Sequence, residues 1–259
     1  VQGTVVRDGG LGGNYGGSGS AIASNQAVSN LVPSSAGGVV TTSRSAANTV
    51  STGNTGTPVR KAVPTLDDSD GPVKRELRSL DGTLLLTSWL VDEELIRKFV
   101  VMIDNMAEGQ IPRKHSVLRP LSTTFRAVEK GDLLYLDGYN FGRYTPYVDL
   151  FVNLDTEILT NLYLHYYPLL QQAYGELGYP RRSFHKRLLM AVDHMLDSPI
   201  LIGAIKLTHP SVMYKYADPE LEQLSDVHKQ LIRMGPENAR SILSRLTVLK
   251  SALVPLKHG

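Results

Sequence analysis

The 259-residue chain contains no cysteine. That absence excludes a disulfide framework, a thiolate nucleophile and any cysteine-ligated metal. It fits an exported protein that avoids oxidative mispairing, although many cytosolic proteins share it. No apolar run approaches the roughly 18 residues needed to span a bilayer. Leu84–Val91 is too short and is interrupted by Thr87 and Ser88. No HExxH or related histidine spacing offers a metal site, and no GxSxG offers a nucleophile elbow. A strong charge of either sign is also missing. The net +2 of the chain comes from its first 65 residues, where Arg7, Arg44, Arg60 and Lys61 outweigh Asp8. The remainder carries −1, from 23 basic and 24 acidic residues. A nucleic-acid binder usually shows a basic excess on its domain. Single-strand nucleic-acid binding through tyrosine and arginine is therefore the least favoured role for this chain.

What is present divides the chain in two. Residues 1–65 hold twelve of the 23 glycines, many Ser, Thr and Asn, five charges and one aromatic, Tyr15. Such a segment buries too little apolar surface to offset the entropy of ordering, so it reads as a disordered Gly/Ser/Thr-rich tether. Gly37–Thr42 has some strand character, which leaves a pairing segment as the alternative. The Gly-x-Gly runs in Gly9–Gly19 follow no strand and open no helix, so they form no phosphate loop. Residues 66–259 hold 17 of the 18 aromatics and all seven histidines, enough for one buried core. The expected fold is mainly α: a single multi-helix domain with one or two short β-hairpins, preceded by the tail.

Local signals place the elements. Asp67–Pro72 opens a helix, and a second short one over Thr83–Leu90 carries the only tryptophan, Trp89. Asp92 is expected to cap the next helix, whose stripe is Leu95, Phe99, Met102, Ile103 and Met106, and Gly109 ends it. Phe125–Glu129 and Leu133–Asp137 flank Lys130-Gly131 as a hairpin, and Ile200–Leu207 with Val212–Tyr216 suggests a second pairing. Asn140 is placed to start a helix through Leu154. Asp155 caps a long helix containing Pro168, and Ser183 caps another. Asp218 stands at N-cap before Pro219, and Gly235-Pro236 closes one helix and opens the last.

Each chemical constellation has a plainer structural account. Twelve aromatics fall between Tyr135 and Phe184, but Tyr163, Tyr166, Leu170, Ala173 and Tyr174 recur at helical spacing, which favours a core. Arg143-Tyr144, with Arg113, Lys114, His115 and Arg119, could form an anion-binding patch beside Tyr139, because a guanidinium matches carboxylate and phosphate. The rival is internal pairing of Arg143 with Asp137 or Asp149. Asp104 and Glu108 lie four apart on one helix face; like charges there repel, so a basic partner is expected nearby. Asp193-His194 points its two side chains about 100° apart and makes no ligand pair. No metal or other cofactor is expected.

Three stretches carry a resemblance: Asp104-Asn105-Met106-Ala107-Glu108-Gly109, Gly138-Tyr139 with Arg143–Tyr147, and residues 215–240 with their Ala217-Asp218-Pro219 and Met234-Gly235-Pro236. Together they resemble the bacterial envelope family called domain of unknown function 3014, over roughly residues 66–252. The resemblance implies a protein facing the periplasm and adds no catalytic residue, none being established for that family. Members have one N-terminal membrane segment followed by a low-complexity stretch. A chain that begins at Val1 leaves room for such an anchor upstream, so periplasmic location near the inner membrane is the expectation. The expected role is a non-enzymatic interaction or scaffolding module with an envelope protein or an anionic envelope polymer as partner. The alternative is a hydrolase or transferase acting on an envelope polymer through Asp104, Glu108, Arg143 and Tyr144.

Overall fold

The computed structural model describes residues 4–7, 62–81 and 85–256. The tether expected over 1–65 lies largely outside these residues. Of its ends, Thr4–Arg7 forms a strand, β1, and 62–65 lead into the buried Leu66. The mainly helical domain expected from the sequence is present, with ten α-helices among the described residues.

Helix α1 (Asp70–Asp81) begins at the acidic run, and α2 (Leu85–Trp89) follows. Helix α3 spans Leu95–Ala107. Asp92 does not cap it. The N-cap residue is Glu94, in the left-handed region at φ 59° with no side-chain bond of its own. Instead Asp70, at the start of α1, accepts from the backbone of Glu94 (2.7 Å) and Leu95 (2.8 Å). The two helix N-termini are thereby clamped by one carboxylate, which also meets the positive end of the α3 dipole. Asp92 is ion-paired to Lys74 and Arg119, both of which hold its carboxyl below the usual range.

The buried face of α3 is Leu95, Ile96, Val100 and Ile103; Phe99, Met102 and Met106 are half-buried beside it. The expected stripe is thus rotated by about one residue. Helices α6 (Thr156–Glu176) and α7 (Phe184–Leu196) complete this core with Tyr166, Leu170, Ala173, Tyr174, Phe184 and Leu188. The tyrosine-rich helix is core, as its spacing implied. Burial pushes the Tyr166 hydroxyl up to about 12. Asp155 and Ser183 cap these helices through Ile158 N–H (2.9 Å) and Lys186 N–H (3.3 Å). The helix expected over Asn140–Leu154 is two pieces, α4 (Tyr139–Gly142) and α5 (Thr145–Asn153), with Arg143-Tyr144 at the joint.

Both expected hairpins exist: β2 (Arg126–Lys130) with β3 (Leu133–Leu136), and β4 (Lys206–Thr208) with β5 (Lys215–Tyr216). They are joined edge to edge, Leu134 opposite Leu207 and Tyr135 opposite Lys206, into one antiparallel sheet. Strand β1 pairs with β2 in parallel at the other side. Beneath the sheet a second apolar cluster, Ala127, Leu136, Ile205, Leu207 and Tyr216, receives Ile232 from α9 (Asp226–Met234). Helix α8 (Pro219–Gln223) is capped by Asp218, and α10 (Pro236–Leu253) closes the chain.

The Asp104–Gly109 stretch has a structural explanation. Arg187 of α7 donates through Nε to Asp104 Oδ1 (2.7 Å) and through Nη2 to the Asp104 carbonyl (2.9 Å), while Nη1 meets Glu108 Oε1 (2.7 Å). This is the basic partner that the acid pair required. A Cβ on Gly109 would lie 2.8 Å from both His194 Nε2 and Ser225 Cβ. The space is taken by His194 and Ser225, and His194 in turn stacks on His228 with ring centroids 4.5 Å apart. His194 Nε2 bonds Ser225 Oγ (2.9 Å), and His228 Nε2 bonds the His194 carbonyl (2.7 Å).

Burial, and then the neighbouring His228, lower the pKa of His194. A folded pKa below the unfolded one means that the unfolded chain binds more protons. Stability is therefore full above the unfolded value of about 6.5 and is lost as pH falls from there through the lower folded value. Thermal melts between pH 7.5 and 5 should show a falling Tm, with a shallower fall in His194→Gln. Equal slopes in the two proteins would remove His194 as the cause.

Candidate functional site

Gly235 and Pro236 bring two distant stretches together. Phe141, on α4, packs against Gly235, where a Cβ would come within 2.4 Å of the ring. Asn238 of α10 is buried and donates to the Phe141 carbonyl (2.9 Å) and the Met234 carbonyl (2.8 Å). Asn140, also buried, is satisfied by Arg126 N–H, the Arg126 carbonyl and the Asp137 carbonyl. These contacts fix the joint between α4 and α5, and with it Arg143 and Tyr144.

Beside this joint lies a pocket of about 200 Å³. Its cationic lining is Arg113, Arg143 and Arg233, and its aromatic walls are Phe125, Tyr144, Tyr214 and Tyr216. Leu136 and Leu207 from the sheet form the apolar part, and Val212 and Met213 of the β4–β5 loop complete it. No carboxylate lines it. Arg143 donates through Nε to Thr123 Oγ1 (2.8 Å), through Nη2 to the Thr123 carbonyl (2.5 Å) and through Nη1 to Asn140 Oδ1 (3.2 Å). All three acceptors are neutral, so the guanidinium is fixed in place without its charge being cancelled. The rival pairing of Arg143 with Asp137 or Asp149 is not formed, since its donors go to Thr123 and Asn140. Among the described residues, none of the three arginines has a carboxylate within salt-bridge distance.

The tyrosines are oriented by the same cations. Arg143 lies 5.7 Å from the Tyr144 ring centre, and Arg233 lies 5.5 Å from that of Tyr216. Burial pushes the Tyr216 hydroxyl up to about 12, and it donates to the Lys229 carbonyl (3.1 Å). It is therefore a neutral phenol at physiological pH, a structural wall rather than a proton carrier. Such a pocket can hold an anionic group against flat or apolar surface.

Of the residues singled out in the sequence, Arg113, Arg143 and Tyr144 meet here. Tyr139 does not line the pocket; it is exposed and carries Arg126 at 3.8 Å from its ring centre. Arg119 belongs to another region, where Nε donates to the Leu90 carbonyl (2.6 Å) and Nη2 to Asp92 (2.7 Å). Asp104 and Glu108 are engaged by Arg187 and lie outside the pocket lining. Arg233 is the basic residue in the last turn of α9, where it suits the helix dipole, and Tyr214 and Tyr216 fall in the stretch expected to pair as a strand. Only the folding of β5 over α9 places them opposite Arg143. Ser183-Phe184-His185-Lys186 also fits the Ser-x-x-Lys spacing of some serine nucleophiles. Ser183 is occupied as the α7 N-cap, its Oγ accepting from Lys186 N–H.

The described residues thus form a helical domain with a small antiparallel sheet, carrying a cationic, aromatic-walled pocket. Residues 95–250 match the family described as protein of unknown function DUF3014, more than half of the chain, and the protein belongs to that family. Comparison with the curated proteins and with the solved structures finds no match.

Proposed function

We propose that this domain is a non-enzymatic interaction module of the bacterial cell envelope, facing the periplasm, that captures an anionic partner in the Arg113–Arg143–Arg233 pocket. The partner is an envelope polymer or an acidic segment of an envelope protein. The observation that carries the reading is the pocket itself: three guanidiniums converge on aromatic walls with no acid in the lining. The envelope setting is supported by the absence of cysteine and by the glycine-rich composition of the first 65 residues. The hydrolase or transferase reading is weaker. Its acids, Asp104 and Glu108, are bound to Arg187, while Arg143 and Tyr144 line the pocket without them.

Direct titration with polyphosphate and with a polyuronate tests the reading for both anion types. The double variant Arg113→Ala/Arg233→Ala leaves Arg143, and its bonds to Thr123 and Asn140, untouched. It should lose at least about tenfold in affinity, since a hydrogen bond to a charged group contributes about 1.5–3 kcal/mol. Binding should also weaken steeply at 1 M salt, where screening shortens to about 3 Å. Undiminished affinity in the double variant would place the partner elsewhere.

A further inference from the structure

We propose that the pocket and the β4–β5 loop together dock the domain on an anionic phospholipid surface, the arginines holding headgroup phosphates and Val212 and Met213 entering the acyl boundary. This rests on the anion-binding reading of the pocket and puts a phospholipid headgroup in place of the polymer or acidic segment as its ligand. Val212 is 68 % exposed and Met213 42 % exposed, yet both line the same pocket as the arginines. An exposed apolar pair beside clustered uncancelled cations is the arrangement that suits a bilayer interface, where phosphate and hydrocarbon lie a few ångströms apart. A soluble polyanion would use the arginines and leave the apolar pair in water.

The loop that bears this pair is braced at both ends. His209 stacks on Tyr214 with ring centroids 4.4 Å apart, and Tyr214 contacts Phe125 at 5.3 Å. Ordering the loop therefore costs little on binding, which favours a preformed contact over an adaptable one. Arg113 stands in a short 3₁₀ turn, Arg113–His115, where Lys114 is also exposed, so the cationic edge extends beyond the pocket. The charge is local. Residues 66–259 carry −1 overall, so this face is positive by segregation and not by composition. Three guanidiniums with no carboxylate in the pocket lining call for more than one negative charge, and a surface of repeated phosphates supplies them.

The test uses the full chain in co-sedimentation with vesicles of phosphatidylcholine alone and of phosphatidylcholine with phosphatidylglycerol. The expected result is binding to the mixed vesicles only, released at 1 M salt. Val212→Ser/Met213→Ser removes the apolar pair without adding charge and should reduce mixed-vesicle binding at least tenfold, a clearly larger loss than it causes in polyphosphate affinity. Arg113→Ala/Arg233→Ala should reduce both. If polyphosphate binds but the mixed vesicles do not, the lipid proposal falls and the anion pocket stands. Mixed-vesicle binding that is unaltered in the serine variant also overturns the proposal, because the apolar pair then takes no part. If neither probe binds, both readings fail.

Discussion

Gly235→Ala is expected to lower stability by about 4 kcal/mol, by adding two independent costs. The backbone at Gly235 has φ 89° and ψ 159°, a region that is essentially closed to residues with a side chain. Holding alanine there costs on the order of 1–3 kcal/mol. The new methyl would also stand 2.4 Å from Phe141 Cγ and within 2.8 Å of both Cδ atoms. Something must shift, and overpacking of this kind typically costs about 1–3 kcal/mol more. The two terms can be separated. Phe141→Leu/Gly235→Ala should recover part of the steric cost and none of the backbone cost, so it should remain well below Phe141→Leu alone. Urea unfolding with an unchanged m value is the measurement. A loss under about 1 kcal/mol for Gly235→Ala would show that α9 and α10 can re-close around another backbone path. Because Phe141 precedes Arg143 by two residues, the same variant should weaken polyphosphate binding in whatever fraction stays folded.

The dipeptide Gly235-Pro236 shows what was legible in this sequence and what was not. A glycine closing a helix and a proline opening the next are local signals, and the break between α9 and α10 falls there. The same holds for Asp155, Ser183 and Asp218, each of which bonds a backbone N–H two or three residues on. Asp92 misled because its cue was equally local, whereas the carboxylate that serves α3 is Asp70, 24 residues before Glu94. That the glycine must stay bare was not legible either, since the ring that excludes a Cβ belongs to Phe141.

Distance in sequence also explains the partial success at the site. Arg113, Lys114, His115 and Arg119 were grouped with Arg143 by composition, but only Arg113 reaches the pocket, because Arg119 turns back to Leu90 and Asp92. The third pocket arginine, Arg233, lies 90 residues beyond Arg143 and had a sufficient local explanation at the end of α9. The first hairpin was readable from its Lys130-Gly131 turn, and the second was suggested as a pairing of Ile200–Leu207 with Val212–Tyr216. Their union through β3 and β4 was not, since sheet edges carry little sequence signal beyond being apolar enough to bury. The pocket is a product of that union. Its walls come from Leu136 on one hairpin and Leu207 and Tyr216 on the other.

The acid pair on α3 provides the second large effect, and it bears on mechanism as well as stability. Arg187 and Asp104 have side chains only 12 % and 14 % exposed, while Glu108 is 63 % exposed. Arg187→Met keeps most of the side-chain volume and removes the charge. It leaves Asp104 beneath the α3–α7 contact with neither of its guanidinium bonds, and breaking a buried pair from one side costs about 3–5 kcal/mol. The expected loss is about 3 kcal/mol, at the lower end, because Glu108 can turn to water. Asp104→Leu/Arg187→Met removes both buried charges together. The double variant should therefore be less destabilised than the sum of the two single variants, by at least about 1 kcal/mol. Additive losses would mean that each residue is stabilised by different neighbours and that the pair has no mutual role. Polyphosphate affinity should be unchanged in every folded variant of this cycle, since neither residue lines the pocket. A binding loss without a stability loss would reverse the assignment and return Asp104 to the functional site.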